Sequence, residues 1–428
     1  MSSLSTRLIW PGGLREKVRL LPTGKSGGAG EIFHIEGKPG YVAKIYHAST
    51  EATQREQYAQ KINWMIQNKP DLPEIPPGHE SVVQLAWPVA VTEGAQGFTG
   101  FVMEKIDFSR TLELDYLLTR RQAAQEGFQA DFGKLVAISY NLASLIRCLH
   151  GKKIAVVDLK PMNLKVYKEE LFVSILDCDG FRIYADNFSS EAPQVTPEYL
   201  APEFHDKAVS HPEAQDWFAL ATIIFRLLNF GVHPYVGISK NAQGVPSELA
   251  QRIKMGLYPY GRMPHRTVKA VPASVHEAFP DNLRELFDRS FDWSVSGRPT
   301  AAEWIEVLGG YANKHSGLIQ ACAKGHLQFS GKPCASCLRE SILHKHQASA
   351  RRNTIARLAL SPAKTLRNVQ RTMTRVPSSP FQAGLIQAQA QGAQAQVPTL
   401  TLFVETYRAL VVEVLWIAGL AISWWWLK

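Results

Sequence analysis

The stretch Val156–Phe181, reading VVDLKPMNLKVYKEELFVSILDCDGF, constrains the fold of this chain more than any other. The apolar run IAVV before Asp158 and the run ILDC after the turn-like KEEL read as short strand material, and each delivers a carboxylate to the end of a strand. With Asn163 between them, Asp158, Lys160, Asn163 and Asp177 fall on one compact hairpin. Taken singly, Asp and Asn in loops are ordinary turn residues. Taken together they supply what phosphoryl transfer from ATP needs: a base near the attacking hydroxyl, a carboxylate and an amide oxygen for magnesium, and a cation for the transferred phosphate.

The sequence D-L-K-P-M-N followed by an Asp closely resembles the catalytic and metal-binding loops of eukaryotic-type (Hanks-type) protein kinases. The resemblance implies that Asp158 is the base, Lys160 the loop cation, and Asn163 with Asp177 the ligands of Mg²⁺ or Mn²⁺. It departs from the family pattern in two places. Val156-Val157 stand where His-Arg usually precedes the Asp, leaving no arginine to receive a phosphorylated activation-loop residue, and Asp177-Cys178-Asp179 stand where Asp-Phe-Gly is usual. The D-x-D-[GS]-F form is similar to that of a bacterial subgroup associated with phosphatase and von Willebrand A-type partners in stress and tellurite-resistance operons.

Upstream, EKVRLLPTGKSGGAGEIFHIEGKPGYVAKIYH alternates apolar and polar residues around glycines, which predicts three antiparallel strands. The first hairpin carries Ser26, Gly27, Gly28, Ala29 and Gly30, whose backbone N–H groups can approach phosphate closely; Lys25 takes the place of the first glycine of the usual pattern. One strand later, Val42-Ala43-Lys44 matches the segment whose lysine, by the resemblance, pairs with the α- and β-phosphates, with Ala43 beside it at the nucleotide. A helix with Tyr58, Ile62, Met65 and Ile66 on one face follows, and the resemblance requires it to carry the glutamate that orients Lys44: Glu56, with Glu51 second. VVQLAWPVAV and FTGFVME predict two further strands. By the same resemblance the second runs into the hinge between the lobes, where Glu104, Lys105 and Ile106 line the adenine pocket through backbone groups and Met103 guards it.

Downstream, FGKLVAISYNLASLIRCLH predicts a helix leading into the catalytic hairpin, with His150 and Cys148 as core residues. TPEYLAPEF resembles the end of a kinase activation segment, in which Thr196 faces the catalytic Asp158 and Glu203 pairs with a distant arginine, here Arg298 of SGRPTAAEW. Asp216, at the start of DWFALATIIFRLL, braces the catalytic-loop backbone in the same pattern. The implied fold is α+β and two-lobed, with a small antiparallel sheet lobe and a mostly helical lobe over residues 16–312. The implied activity is phosphorylation of protein Ser or Thr. An aminoglycoside-type phosphotransferase shares the Asp, Asn and second Asp but lacks the A-P-E segment and its arginine. A pseudokinase scaffold, which binds partners without chemistry, is opposed by the intact Lys44, Asp158, Asn163 and Asp177.

Beyond this domain, Cys322, His326, Cys334 and Cys337 have the ligand types and spacing of a tetrahedral Zn²⁺ site in a small module, residues 318–340, that is structural because protein ligands fill all four positions. Five cysteines in 428 residues fit a reducing compartment better than a disulfide framework. The net charge of +9 invites a nucleic-acid reading, but nine basic residues against Glu340 between Leu338 and Pro380 hold most of it, so the folded part is near neutral and nucleic acid is not the expected partner. The basic, then low-complexity stretch 341–400 reads as a linker. Ala409–Leu427, apolar apart from Glu413 and Ser423, is long enough to cross a bilayer, with basic residues before it to face cytoplasmic anionic lipid; it reads as a tail anchor within 405–428. Residues 1–15 read as an N-terminal extension.

Overall fold

The computed structural model describes residues 4–79, 81–193, 195–205, 211–241, 244–291 and 295–359. The chain divides into a unit spanning Met1–Cys337 and a second spanning Leu338–Lys428. The apolar tail and most of the linker lie outside the described residues.

The first lobe is a closed antiparallel barrel rather than an open sheet. Its strands are β1 (Leu4–Ile9), β2 (Arg15–Ser26), β3 (Gly30–Ile35), β4 (Tyr41–Tyr46), β5 (Pro88–Gly94) and β6 (Gly97–Glu104), in the order β1-β2-β3-β4-β6-β5. Closure comes from β1, inside the stretch read as an extension: it pairs with β2 along its whole length and with β5 through Arg7–Ile9. Its period of two buries Thr6 and Leu8, and Leu8 joins Leu20, Phe33, Ile35, Ala43, Ala90 and Val102 in a core of the lobe's own. Between β4 and β5 runs α1 (Ala52–Gln67), which buries Lys61, Ile62 and Met65.

The helical lobe is built on α3 (Phe132–Gly151) and α5 (Pro212–Leu228); the short α2 (Arg120–Gln125) precedes them and α4 (Pro202–His205) lies between. Among the described residues α3 alone is long and apolar enough to cross a membrane. It is instead the core helix, capped by Asp131, whose carboxylate accepts the Lys134 N–H at 2.9 Å, and buried along Leu135, Val136, Ile138, Leu142, Leu145, Ile146 and Leu149. α6 (Leu249–Lys254), α7 (Asp281–Phe291) and α8 (Ala301–Ala312) complete it; α8 begins with a capping box between Thr300 and Glu303.

Small sheets carry the loops between the lobes. β7 (Thr111–Glu113), β9 (Leu164–Tyr167) and β10 (Val173–Ile175) form one, in the order β10-β9-β7. β8 (Ile154–Ala155), the apolar run before Asp158, does not join that hairpin. It pairs with β11 (Arg182–Ala185), which pairs with β12 (Phe188–Ser190), so the segment after Asp177 folds back beside the catalytic loop. β13 (Gly237–Ser239) pairs with β14 (Val268–Ala270).

The Cys/His stretch is docked on the helical lobe. β15 (Ile319–Ala321) and β16 (Leu327–Phe329) form a hairpin whose Phe329, 2% exposed, sits edge-on to Phe132 of α3 (5.6 Å) and Tyr311 of α8 (5.1 Å). Ala335 opens α9 (Ala335–Ala359) and is itself part of the main core. We expect Phe329→Ala to cost about 3–5 kcal/mol, the range for emptying a buried aromatic site. Denaturant unfolding of the purified protein measures it, and a loss below about 1 kcal/mol would mean that the hairpin is not docked in solution.

Candidate active site

The catalytic loop is held from below by the N-terminal part of α5. Asp216, fully buried, accepts the N–H groups of Val156 and Val157 at 2.7 Å each, and the His150 ring lies 2.9 Å from the same carboxylate. These bonds retain an unfavourable conformation: Val157 has φ of 64°, a left-handed value that is a true outlier for a β-branched residue. Its neighbour Gln215 donates to Val157 O (3.1 Å) and Tyr199 O (2.9 Å) and accepts from Ala201 N (2.8 Å), tying the catalytic loop to the end of the activation segment. Asp216 acts as the sequence predicted, and His150 is near it as a core residue. Gln215 was not anticipated, because a lone glutamine in a helix carries no signal of its own. Cys178 is buried, whereas Cys148 is only partly so.

On this base stand the residues expected to act. The Thr196 hydroxyl donates to Asp158 Oδ1 at 2.6 Å, and Lys160 Nζ reaches both Thr196 Oγ1 (2.9 Å) and Asp158 Oδ2 (2.7 Å). Asn163 Nδ2 donates to the carbonyl of Asp158 at 3.3 Å. Asp177 is left-handed (φ 52°, ψ 41°), with its side chain 67% exposed at the cleft. Glu203 receives a bidentate bond from Arg298 at 2.6 and 3.2 Å; the arginine side chain is 1% exposed and also donates to Ala214 O. Across the cleft lie Gly27, Gly28, Ala29 and Gly30, with Gly27 N–H bonded to Gly30 O.

The surroundings of Lys44 correct the sequence reading. Lys44 Nζ lies 2.8 Å from Asp179 Oδ1 and 3.5 Å from Asp177 Oδ1, and Tyr46 donates to the second oxygen of Asp179 at 3.0 Å. Glu56 and Glu51 are both exposed, because the inward face of α1 consists of Tyr58, Lys61, Ile62 and Met65, and Glu56 lies on the opposite side of the helical wheel. Ala43 also points elsewhere: adjacent strand residues alternate, so with Lys44 toward the cleft Ala43 enters the barrel core. Ser26 is exposed in the last pair of β2 with β3. Glu104 ends β6, and Ile106 is buried in the main core. The cleft collects Gly27, Gly28, Gly30, Lys44, Asp158, Lys160, Asn163 and Asp177, together with Asp179 and Tyr58.

Charge inside the site follows from burial. Burial works against the Lys44 ammonium, but the carboxylates of Asp179 and Asp177 outweigh it and hold the lysine above its ordinary range. Burial and then Asp179 push the Tyr46 phenol well up, so it remains a hydrogen-bond donor. Lys61 differs: burial pulls it down to about 8, and the charges of Asp179 and Glu191 offset only part of that. For a divalent cation, Asp177 and Asn163 offer the hard oxygen donors that magnesium prefers, and among the described residues the Asp177 carboxylate has a 3.5 Å contact to Lys44.

A second constellation lies at the β15–β16 hairpin. One ligand atom from each of Cys322, His326, Cys334 and Cys337 falls within 4.8 Å of the others. Cys322 Sγ to Cys337 Sγ is 3.9 Å, and His326 Nδ1 is 3.8 Å from Cys334 Sγ and 3.4 Å from Cys337 Sγ. Tetrahedral bonds of about 2.3 Å to sulfur and 2.0–2.1 Å to nitrogen imply edges of about 3.5–3.8 Å, so these free thiols and the imidazole fit a single metal ion.

The sequence matches the description "Protein kinase domain" over residues 16–307. It is 26% identical over 292 residues to protein kinase YegI of Escherichia coli (strain K12), covering 66% of this chain and 43% of that one. It is 26% identical over 211 residues to the serine/threonine-protein kinase DCLK1 of Rattus norvegicus, 48% of this chain and 45% of that one. A shorter match, 32% over 106 residues, joins it to the cAMP-dependent protein kinase catalytic subunit PRKX of Mus musculus, 24% of this chain and 28% of that one. The chain thus spans less than half the length of these relatives.

The folded-state value of Lys61 lies below the ordinary 10.4, so between about pH 8 and 10.4 the unfolded chain binds more protons and stability rises with pH through this residue. We expect Lys61→Met to raise Tm by at least about 2 °C below pH 8, with the gain shrinking toward pH 10.4. Thermal melts of both proteins across that range check it; a gain that does not vary with pH would deny that the ammonium is the cause.

Proposed function

The chain belongs to the protein kinase family, and from that premise we propose that it transfers the γ-phosphoryl group of ATP to Ser or Thr hydroxyls of proteins. The observation that carries this reading is the triad Asp158–Thr196–Lys160, with contacts of 2.6, 2.7 and 2.9 Å. It places a carboxylate and a cation at one point of the cleft, opposite the glycine hairpin. Asp158 accepts the proton of the substrate hydroxyl as that oxygen forms its bond to the γ-phosphorus. The bond from the γ-phosphorus to the β–γ bridging oxygen breaks, and ADP leaves. Lys160 stabilises the charge on the transferred group, Lys44 binds the α- and β-phosphates, and the N–H groups of Gly27, Gly28 and Gly30 face the phosphate chain. Asp177 and Asn163 would hold magnesium, which would supply neutralisation of phosphate charge. Serine or threonine specificity is supported by Thr196 beside Asp158 and by the name of the DCLK1 relative.

Incubated with labelled ATP and Mg²⁺, wild-type protein should phosphorylate itself or a general protein substrate. Asp158→Asn and Asp177→Asn should each lower kcat by about 10²-fold or more, by removing the base and a metal ligand, with Tm nearly unchanged. Wild-type protein that binds ATP but transfers no more phosphate than these variants would instead be a nucleotide-binding scaffold.

We further propose that Cys322, His326, Cys334 and Cys337 bind one structural Zn²⁺, supported by the fit of their separations to a tetrahedron. Metal analysis should find about one zinc per chain in wild type and almost none in a Cys334→Ser/Cys337→Ser variant, with a lower Tm because the metal holds the hairpin together. Wild-type protein without zinc would refute the assignment.

A further inference from the structure

The kinase resemblance assigns the orientation of Lys44 to a glutamate on the helix after β4. In this protein that helix offers no carboxylate at the right place: Glu51 and Glu56 are exposed, and among the side chains that α1 buries is another cation, Lys61, which feels the charges of both Asp179 and Lys44. The carboxylate comes instead from the turn after β10. In Asp177-Cys178-Asp179, Asp177 is 67% exposed at the cleft, Cys178 is fully buried, and Asp179 is 8% exposed against Lys44.

We propose that Asp179 is the positioning residue for Lys44, replacing the helix glutamate, and that this turn supplies both the metal ligand and the lysine's anchor. The proposal rests on the kinase reading above and adds to it. The 2.8 Å contact joins two buried groups, and Tyr46, two residues beyond Lys44 on the same strand face, bonds the other oxygen of Asp179 at 3.0 Å and so fixes the plane of the carboxylate. The Tyr46 ring is in turn stacked on Tyr58 of α1 at 4.5 Å. Asp177 lies at 3.5 Å, too long to share the anchoring equally, and its exposure leaves it for the metal. The lysine is therefore tied to the metal-binding turn, and no carboxylate on α1 has to swing in to complete the site.

The test uses the full-length protein, with kcat and KM for ATP as one readout and labelling of Lys44 by an ATP acyl-phosphate probe, mapped by mass spectrometry, as the other. We expect Asp179→Asn to lose about 10²-fold in kcat, with Lys44 labelling reduced at least fivefold and Asp177-dependent metal binding retained. Glu51→Gln/Glu56→Gln should stay within about twofold of wild type in both readouts. Tyr46→Phe, which leaves the ion pair in place but frees the carboxylate to rotate, should fall between, about 3–10-fold down in kcat. If Asp179→Asn does not fold, the double-glutamine and Tyr46→Phe variants decide. The proposal is overturned if a folded Asp179→Asn labels and turns over as wild type does, or if the double-glutamine variant loses activity. Should wild-type protein transfer no phosphate, the kinase reading fails, while the Lys44 labelling still decides whether Asp179 places the lysine.

Discussion

The geometry of the cleft depends on one carboxylate that never touches it. Asp216 is buried without solvent, and an isolated charge there would be strongly unfavourable. It is tolerated because two backbone N–H groups and an imidazole surround it, and those N–H groups belong to the two residues before Asp158. The strained φ of Val157 is the cost of turning the chain so that Asp158 faces the cleft, and the charge-assisted bonds to Asp216 offset it. Remove that anchor and the loop has no reason to keep its shape.

Other anchors of the same kind surround it. Gln215 satisfies carbonyls of the catalytic loop and the activation segment with one amide, and Arg298 reaches Glu203 and Ala214 O from a position 1% exposed. All three fix irregular backbone to regular helices, and because each is satisfied on several sides, together they specify one arrangement rather than merely adding stability. The start of the segment after Asp177 is held by contacts of its own. β11 is paired with β8, and Phe188 of β12 stacks on Trp64 of α1 at 5.7 Å.

What could be read from the sequence was what is local in it. Asp158, Lys160, Asn163 and Asp177 lie within one motif and line one cleft, and Thr196, Glu203, Asp216 and Arg298 carry neighbours that mark the contacts they make. Glu56 failed because a helix presents one face, and the identity of that face was set by Ile62 and Met65, not by the acidic residue nearest the expected spacing. Ala43 failed because strand parity, fixed by Lys44, sends it into the barrel. The barrel's closure was missed because β1 is only partly buried and its partner β5 is distant in sequence. Asp179 was in plain view, but nothing in a linear motif tells which of two aspartates separated by one residue will be buried.

The strand carrying Lys44 is confined in depth as well as in register. A side chain on Gly30 would put its first carbon 2.3 Å from the carbonyl oxygen of Ile45, and one on Gly100 would put it 2.0 Å from that of Lys44, so β3, β4 and β6 approach as closely as bare backbone allows. The backbone at Lys44 is thereby packed closely between its neighbours, and most of the residue's freedom lies in its own side-chain torsions. A lysine carries about 2 kcal/mol of rotamer entropy, and the Asp179 contact removes much of it during folding. A nucleotide entering the cleft meets an ammonium group already at rest, and its binding energy is not spent on stilling it.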